Sequence, residues 1–270
     1  MRDKKISLWP EKSLMGFFLQ FLFLTRSILV WILGGDLCLR CGEVSGVYPL
    51  CPSCMKQFFD TALPVSEETA SARCSVCGKA LLSEISVCTA CRSEALLLHT
   101  DGVFPLHAYR LWKKDLLFAW KSEDKRTLSP VFACMMHRAY KDLCSRFGKN
   151  LPLVPVPPRP GKIRERGWDQ VDEVCYYMHL ILKVPVLKLL VRKSQVQQKK
   201  LGRLARRKAS AASYVLAGEK KLRHYAPVPP EKVILVDDVL TTGSTLNACA
   251  ERLKSYGIQK VYALTLFSVA

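Results

Sequence analysis

Two adjacent carboxylates near the end of the chain, Asp237 and Asp238, are the side chains best suited to chemistry in this 270-residue sequence. The four residues before them are all apolar, and such a run without alternation predicts a strand buried on both faces, as in parallel sheets. Two residues after the acids comes a loop of small residues, four of them hydroxylated: Thr241, Thr242, Gly243, Ser244 and Thr245. Residues 246–256 then have helical spacing. The order is therefore strand, acid pair, small polar loop and helix.

That order is suited to holding a sugar phosphate. The N–H groups of the loop and of the helix N-terminus attract phosphate, and the loop hydroxyls add further donors. The carboxylates can accept hydrogen bonds from neighbouring sugar hydroxyls. In open α/β sheets, ligands bind beyond the carboxyl ends of the strands, where these two acids are expected. The structural alternative is a buried strand that ends in an acidic turn with an ordinary Ser/Thr helix cap.

This segment resembles the phosphoribosyl pyrophosphate (PRPP) motif of type I phosphoribosyltransferases. The resemblance implies that Asp237 and Asp238 take the ribose 2′ and 3′ hydroxyls and that residues 241–245 wrap the 5′-phosphate. It also implies that Mg2+ binds together with PRPP, between its pyrophosphate and ribose oxygens. In such a reaction the two acids would help to tolerate positive charge on the ribose.

A second segment offers cations for a pyrophosphate leaving group. Arg159, Lys162, Arg164 and Arg166 lie within eight residues, just beyond a predicted strand. Guanidinium groups pair with phosphate oxygens in bidentate fashion. Gly167 frees the backbone before a predicted helix, whose N-terminus adds donors. We therefore assign Arg164 and Arg166 to catalysis, and Lys162 and Gly167 with them to PRPP binding.

Eight of the twelve cysteines form four Cys-x-x-Cys pairs: Cys38/Cys41, Cys51/Cys54, Cys74/Cys77 and Cys88/Cys91. Two such pairs complete a four-cysteine zinc site, so the pattern predicts one or two structural Zn2+ sites in a double zinc ribbon. Sequential pairing is the simplest assignment, although interleaved pairing is also compatible with the spacing. Because a thioredoxin-like redox site needs one pair rather than four, we favour metal binding in a reducing compartment.

As a whole, residues 36–270 resemble the ComF/ComFC family, which joins a cysteine-rich zinc module to a phosphoribosyltransferase domain. The Pro-Val-Pro strand end of that family is present at residues 155–157, and its Arg-Gly-aromatic segment is present at 166–170 with Asp169 in place of the usual Asn. Further positions that match the family pattern are Gln198, Leu201, Arg206, Tyr214, Tyr109 and Lys121. The chain departs from that pattern in two places: Ala209 replaces the expected Asn, and the Gly that usually follows the Tyr at position 109 is missing.

The resemblance implies a cytoplasmic phosphoribosyltransferase that binds Mg-PRPP and is linked to natural competence and the uptake of single-stranded DNA. Neither Val239 nor Leu240, which follow the acids, offers a base for a nucleobase acceptor, so the acceptor stays open. Two alternatives remain: a module that senses PRPP without turnover, and a module that binds single-stranded nucleic acid.

The charge of the chain is compatible with anionic partners. Lysine and arginine number 41 against 23 acids, giving a formal net charge of +18. This balance favours a phosphorylated small molecule or a nucleic acid over a cationic partner. A nucleic-acid surface would stack bases on tryptophans 112, 120 and 168 and contact phosphates through Arg203, Arg206 and Arg207. The alternative places those tryptophans in the core and the basic run 193–208 over PRPP.

Three parts are predicted along the chain: an apolar extension (1–35), the double zinc ribbon (36–95) and an α/β domain (96–270). Residues 14–33 are almost long enough to span a bilayer, but Arg26 disfavours this, and we favour packing on the protein over membrane contact. In the α/β domain we expect helices at 115–121, 128–147 and 168–182, a helix or hood segment at 197–209, and strands at 151–156, 184–191 and 261–267. Such alternation predicts a parallel sheet.

Overall fold

The computed structural model describes residues 36–65, 72–81, 84–93, 97–193 and 213–269. The apolar stretch 14–33, the segment 197–209 and the basic residues Arg203, Arg206 and Arg207 lie outside the described residues. Within the described ranges, no helix combines the length and apolar character that crossing a membrane requires.

A four-stranded parallel sheet forms the centre of the α/β part, as the alternating pattern predicts. Its strand order is β3-β8-β7-β4, with β3 at Gly102–Ala108, β4 at Leu153–Pro155, β7 at Lys232–Leu240 and β8 at Lys260–Ser268. Strand β7 lies between two neighbours, so its apolar run is buried on both faces. The protein is therefore α/β with a parallel sheet.

Helices cover both faces of this sheet, and the side chains of β7 alternate between two cores. Ile234 and Val236 join a core with α3 (Trp112–Ser122), α4 (Leu128–Phe147) and α6 (Gln170–Leu180). Val233 and Leu235 face the opposite core, which contains α8 (Ser244–Ser255). This alternation is the two-residue periodicity of a strand, and it explains why the run has no polar member before Asp237.

Strand β7 continues through the two acids, whereas the sequence suggested that it ends before them. Asp237 still pairs in register with Thr265 of β8, and Val239 pairs with Phe267. The acids therefore lie within the last part of the strand and are held by its backbone hydrogen bonds. This is a more rigid position than a loop would give.

Two strands differ from expectation because of proline. The strand expected at 184–191 is reduced to a bridge between Val186 and Leu153 and the short β5 (Leu190–Arg192), since Pro185 has no N–H for the ladder. Conversely, β3 is a full strand that we did not predict, although Pro105 lies within it. Its position at the edge of the sheet makes the proline tolerable.

A small antiparallel hairpin and a short helix complete the α/β part. Strand β5 pairs with β6 (Tyr214–Leu216), and α7 (Glu219–Tyr225) follows. Helix α5 (Lys162–Arg166) precedes α6. Helix α6 begins at Gln170, two residues later than expected, because the carboxylate of Asp169 accepts from the N–H of Asp172 and caps the helix.

The cysteine module consists of short elements around its thiols. Strands β1 (Asp36–Leu37) and β2 (Val44–Gly46) form an antiparallel ribbon, followed by α1 (Pro52–Asp60). In the second half, Arg73 and Ala80 form an antiparallel bridge, and α2 spans Thr89–Ser93. Phe58 of α1 is fully buried among His107, Phe132 and Trp112, so the first half packs into the same core as the sheet.

Candidate functional site

The paired acids at the end of β7 are held from two directions. The Nζ of Lys121, in the last turn of α3, lies 2.6 Å from Oδ2 of Asp238. Oδ1 of Asp237 accepts a hydrogen bond of 2.9 Å from the backbone N–H of Asp238. Both acids keep part of their surface exposed, so they border solvent rather than closing into the core.

The two carboxyls have different surroundings. Burial, and then the charge of Asp238, raises the pKa of Asp237 from 3.8 to about 8. Asp238 is instead the partner of the Lys121 ammonium. The raised pKa of Asp237 favours its protonated form at neutral pH, beside the Lys121-paired carboxylate of Asp238. Such a pair can both donate to and accept from a ligand that carries adjacent hydroxyls.

The loop that follows the acids turns sharply into helix α8. Gly243 has a φ of 82° and is the residue that precedes the helix. A Cβ at this position would lie 2.8 Å from the side chain of Leu97, so both the backbone and the space require glycine. The hydroxyls of Thr242 and Ser244 lie 3.0 Å apart, and the first turn of α8 contains no acid. The site thus offers hydroxyls and a helix N-terminus without a competing negative charge.

Tyr214, on β6, joins the hairpin to this loop. Its hydroxyl hydrogen-bonds with the side chain of Thr245, and burial raises the pKa of the phenol. The guanidinium of Arg192 lies 5.1 Å from the centre of the Tyr214 ring. The hairpin strands that flank residues 194–212 are therefore fixed against the hydroxyl-rich loop.

The basic segment, residues 159–167, contacts the last turn of α3 and the start of α6. Nη1 of Arg166 donates a 2.5 Å hydrogen bond to the carbonyl of Lys121, the same residue whose side chain pairs with Asp238. The ammonium of Lys162 lies 2.6 Å from the buried carboxylate of Asp169 and also contacts Gln170. Lys162, which the sequence assigns to PRPP binding, is therefore also paired within the protein.

The remaining members of this segment are exposed. Gly167 ends α5 with a φ of 78°. Arg159 pairs with Glu165, and Arg164 lines a cavity of about 400 Å3 beside the Pro155 end of β4. The structure thus links Arg166 to the acid pair through Lys121, while Lys162 pairs with Asp169 and Arg164 faces the cavity.

Lys121 was noted in the sequence only as a family position, without a role at the site. Lys121 comes far earlier in the sequence than Asp238, and the two meet only through the fold. No local sequence pattern could therefore predict this ion pair. The one sequence signal that pointed to Lys121 was the family resemblance, in which Tyr109 and Lys121 belong to one helical segment. The structure assigns the lysine to the acid pair directly.

The cysteine pairs assemble sequentially into two tetrads, Cys38, Cys41, Cys51, Cys54 and Cys74, Cys77, Cys88, Cys91. Sulfur atoms lie 3.7 Å apart between Cys41 and Cys51 and between Cys77 and Cys88. A tetrahedral zinc with bonds of about 2.3 Å requires sulfur separations of about 3.8 Å, so both donor sets fit zinc. The interleaved pairing is ruled out, and the two halves are zinc-ribbon-like modules.

The second tetrad is built into the core beneath the hydroxyl-rich loop. Its cysteines share a core with Leu97, Val103 and Leu246. The backbone N–H of His99 donates a hydrogen bond of 2.9 Å to Oδ1 of Asn247 in α8. Gly78, beside the tetrad, approaches Val103 so closely that a Cβ would lie 1.7 Å from its carbonyl oxygen. The module and the sheet are therefore packed as one unit at this point.

A buried arginine reinforces that packing. Arg73 donates to the carbonyls of Leu63, Pro64, Gly78 and Pro105 over distances of 2.8–3.0 Å. Burial lowers the pKa of its guanidinium to about 10. These carbonyls come from the linker, the second tetrad and β3, so one side chain joins three segments.

The tryptophans do not form a stacking surface. Trp120 is fully buried, and its indole N–H donates a hydrogen bond of 2.8 Å to the hydroxyl of Ser129. Trp168 is 6% exposed, and its indole N–H donates a hydrogen bond to the carboxylate of Asp124. Trp112 is partly covered, because the guanidinium of Arg40 lies 4.3 Å from its ring centre. The interpretation of the tryptophans as core residues is confirmed for Trp120 and Trp168.

The four remaining cysteines, Cys134, Cys144, Cys175 and Cys249, lie in stretches of helical spacing, and the sequence predicts that they are buried small apolar residues. All four lie in helices. Cys175 and Cys249 are buried, and burial raises the pKa of both thiols. Cys134 and Cys144 of α4 are only partly buried, so for these two the expectation of full burial was wrong.

Comparison with known proteins agrees with this geometry. A family model described as a phosphoribosyl transferase domain matches residues 179–270, which include the acids and the loop. Over 150 residues the chain is 28% identical to Competence protein F of Haemophilus influenzae, covering 54% of this chain and 63% of that protein. Over 194 residues it is 24% identical to Competence protein ComFC of Streptococcus pneumoniae, covering 70% and 79%. The alignment thus spans just under two thirds of the Haemophilus protein.

The parallel sheet, with an acid pair and a small polar loop at its carboxyl edge, is that of a phosphoribosyltransferase-type α/β domain. Two cysteine tetrads precede it. This arrangement and the similarity to these two competence proteins support a relationship to the ComF/ComFC family, and residues 179–270 match the phosphoribosyl transferase domain.

Proposed function

We propose that this protein binds PRPP with Mg2+ at the carboxyl edge of the sheet and transfers its pentosyl group to an acceptor. The observation that carries the proposal is the acid pair at the end of β7, two residues before a hydroxyl-rich loop that leads into α8. The strand fixes the acids and the helix fixes the loop, so both parts are arranged before a ligand arrives.

The 5′-phosphate would bind at the loop. Gly243 turns the chain so that the N–H groups of the first turn of α8 face outward, and no acid lies in that turn. The hydroxyl donors are Thr241, Thr242, Ser244 and Thr245. Leu97 supports the turn from below, since it leaves no space for a larger residue than glycine.

The ribose hydroxyls would bind at the acid pair. With its pKa raised to about 8, Asp237 can hold a proton at neutral pH and donate it in a hydrogen bond, while the carboxylate of Asp238, paired with Lys121, accepts. When the bond from C1 to pyrophosphate breaks, positive charge develops on the ribose, and the negative charge of Asp238 stabilises it. A fixed charge of this kind costs no reorganisation during the reaction.

The pyrophosphate would leave towards the basic segment. Arg164 and Arg166 are exposed guanidinium groups, and Gly167 precedes the N-terminus of α6. The Lys162 ammonium is oriented by Asp169 and Gln170. Mg2+ would be carried mainly by PRPP oxygens and water, as this ion prefers.

The biological setting follows from the relatives. Both are described as competence proteins, in Haemophilus influenzae and Streptococcus pneumoniae. Proteins of this description point to natural competence for the present chain as well, with a cytoplasmic role in the uptake of single-stranded DNA. Any surface that contacts DNA would then be separate from the PRPP site.

A thermal-shift experiment tests the proposed ligand. Mg-PRPP should raise the melting temperature of the zinc-loaded full chain, and the shift should vanish in Asp237→Ala/Asp238→Ala. The matched control is Asp115→Ala/Asp142→Ala, which removes two exposed carboxylates outside the site. A shift that persists in the first variant, or that disappears in both, contradicts the assignment of the acids.

Pyrophosphate release separates an enzyme from a sensor. An enzyme releases pyrophosphate from PRPP when a suitable acceptor is added, whereas a sensing module binds PRPP and releases none. Binding of single-stranded DNA that falls steeply with salt but is unaffected by the acid-pair substitutions would indicate an independent nucleic-acid surface.

A further inference from the structure

A second basic cavity lies where the two cysteine modules meet the end of β3 and the start of α3. Its volume is about 450 Å3, which is sufficient for a small organic molecule. Helix α1, the second cysteine module and residues 108–113 all contribute to its lining. Among the lining residues that the structure describes, none belongs to the acid pair, the hydroxyl-rich loop or the basic segment. The cavity is therefore separate from the site proposed for PRPP.

Three cations line this cavity, and the described part of the lining contains no carboxylate. The cations are Lys79 of the second cysteine module, Arg110 after β3 and Lys113 in the first turn of α3. Among the residues that the structure describes, no acid forms an ion pair with any of the three. Because these positive charges are not balanced locally, a bound anion would be stabilised there. The cavity is thus suited to a negatively charged ligand.

Lys113 shows the imbalance most clearly. Its side chain is partly buried, and its ammonium donates a hydrogen bond of 3.3 Å to the carbonyl of Thr61. Burial, and then the charge of Arg110, lowers the pKa of Lys113. A neutral carbonyl leaves the positive charge uncompensated. A phosphate group carries more than one negative charge and several acceptor oxygens, so it can pair with ammonium and guanidinium groups at once.

The rest of the lining is largely apolar. Leu63, Leu111 and Trp112 line the cavity, and the guanidinium of Arg40 lies 4.3 Å from the centre of the Trp112 ring. Arg40 also donates to Oε1 of Gln57, which leaves the amide NH2 of this lining residue as a neutral donor. An apolar wall with an amide donor suits a planar ring with polar atoms at its edge, such as a nucleotide base.

A buried arginine fixes the walls of the cavity before a ligand binds. Arg73 donates to the carbonyl of Leu63, which lines the cavity, and to the carbonyl of Gly78, which precedes Lys79. The same guanidinium donates to the carbonyl of Pro105 in β3. The segments that carry the lining are therefore held relative to one another, and little ordering has to accompany binding.

We propose that this cavity binds a nucleotide, with its phosphate at the three cations and its base against the apolar wall. The proposal goes beyond the proposed function and does not depend on it, because the cavity and the acid pair share no lining residue. Helix α3 connects the two places. Lys113 lies in its first turn and Lys121 in its last, which separates them by about 12 Å along the helix axis.

Titration calorimetry with AMP tests the phosphate and the base separately. The zinc-loaded full chain is titrated in the presence of Mg-PRPP, so that the site proposed for PRPP is occupied. AMP should bind about tenfold or more tightly than adenosine, which lacks the phosphate. It should bind about threefold or more tightly than ribose 5-phosphate, which lacks the base. No binding of AMP, or equal affinity of AMP and either comparison compound, overturns the proposal.

Two nearby cations provide matched variants. Arg110 lines the cavity, while Lys114 is exposed and does not line it. Arg110→Glu should weaken AMP binding about tenfold, and Arg110→Gln somewhat less. Lys114→Glu, with the same change of net charge, should alter it less than about twofold. Equal losses in Arg110→Glu and Lys114→Glu would show a diffuse effect of net charge and would contradict the site.

The acid-pair variant separates this proposal from the proposed function. AMP affinity should be unchanged in Asp237→Ala/Asp238→Ala, and PRPP affinity should be unchanged in Arg110→Glu. Loss of AMP binding in the acid-pair variant but not in Arg110→Glu would place AMP at the acids and overturn the cavity site. Absence of PRPP binding to the wild type, with AMP binding that depends on Arg110, would overturn the proposed function alone. Dependence on Arg110 seen only with a single-stranded oligonucleotide would replace the nucleotide by a nucleic acid and contradict the proposal.

Discussion

The ammonium of Lys121 lies 2.6 Å from a carboxylate oxygen of Asp238, which joins the end of α3 to the end of β7. Burial, and then the charge of Asp238, raises the pKa of the neighbouring Asp237 to about 8, and Lys121 offsets only part of that rise. One lysine thus pairs with Asp238, while Asp237 is the carboxyl whose pKa is raised. This division is the basis for assigning different roles to the two carboxyls.

The first prediction concerns how Asp237 affects the free energy of unfolding of the ligand-free protein as the pH changes. Its pKa is higher in the folded than in the unfolded chain, so its contribution to stability is full below about pH 4 and is lost as the pH rises towards 8. The loss is at most about 1.4 kcal/mol per pH unit. Asp237→Asn should remove this dependence, and its advantage over the wild type should grow by about 2 kcal/mol between pH 6 and pH 8.

Urea unfolding at both pH values measures this difference, with Asp142→Asn as an exposed control. The same Asp237→Asn variant should bind Mg-PRPP more weakly, because it removes a carboxyl from the ribose site. An advantage that does not change with pH would mean that Asp237 titrates normally in the folded protein.

The second prediction concerns the contact between Leu97 and Gly243. Gly243→Ala should cost more than about 2 kcal/mol of stability, since the positive φ alone costs about 1–2 kcal/mol and the new Cβ also meets Leu97. Leu97→Ala should relieve only the steric part, so the double variant should show a coupling of about 1 kcal/mol. Denaturant unfolding of all four proteins measures it.

Gly257 provides the control for that cycle. It also has a positive φ, 108°, but its nearest neighbour to a new Cβ is 3.4 Å away, on Pro229. Gly257→Ala should therefore incur only the backbone cost and should leave PRPP binding unchanged. If Leu97→Ala and Gly243→Ala were simply additive, the close contact would not govern this loop.

The third prediction concerns the two metal centres. Leu97 and His99 lie shortly after the second tetrad, and both contact the loop or α8. Cys88→Ser/Cys91→Ser should therefore lower zinc content and also weaken PRPP binding. Cys38→Ser/Cys41→Ser should lower zinc content equally, with a smaller effect on PRPP. Metal analysis and calorimetry on the same samples test this, and an equal loss of PRPP affinity in both would contradict the coupling.

The fourth prediction concerns His107, which is buried between Phe58 and Phe267 with ring centres 4.4 and 5.9 Å away. Burial, and then the charge of Lys113, lowers its pKa to about 3. Because the unfolded chain takes up a proton near pH 6.5 and the folded chain does not, stability should fall as the pH drops below 6.5. His107→Phe should remove about 2 kcal/mol of that fall between pH 7 and pH 5.

Thermal or urea unfolding measures that difference, and the exposed His224→Gln serves as control. The control should keep the acid sensitivity of the wild type. Equal acid sensitivity in His107→Phe and the wild type would show that His107 is protonated in the folded protein.

The parts of the fold that the sequence predicted have strong local patterns. The apolar run before Asp237 identified β7, and the spacing of residues 128–147 identified α4 with its observed bounds. The Cys-x-x-Cys pairs predicted both tetrads, because the short pairs and similar intervals constrain which thiols can meet.

The missed features depend on tertiary position. Strand β3 contains Pro105, which is tolerated only because the strand lies at the sheet edge. Lys121 reaches Asp238 through packing of α3 on the sheet, and Leu97 reaches Gly243 through the docking of the second tetrad. No local periodicity contains information about such contacts, so a single sequence could not place them.

The central claim is that the acid pair and the adjoining loop hold an activated pentose. Isothermal titration of the zinc-loaded full chain with PRPP, in the presence and absence of Mg2+, tests it most directly. The account predicts saturable binding to one site per chain that requires Mg2+ and is lost in Asp237→Ala/Asp238→Ala but retained in Asp115→Ala/Asp142→Ala. Absence of binding to the wild type, or undiminished binding to the acid-pair variant, would contradict it.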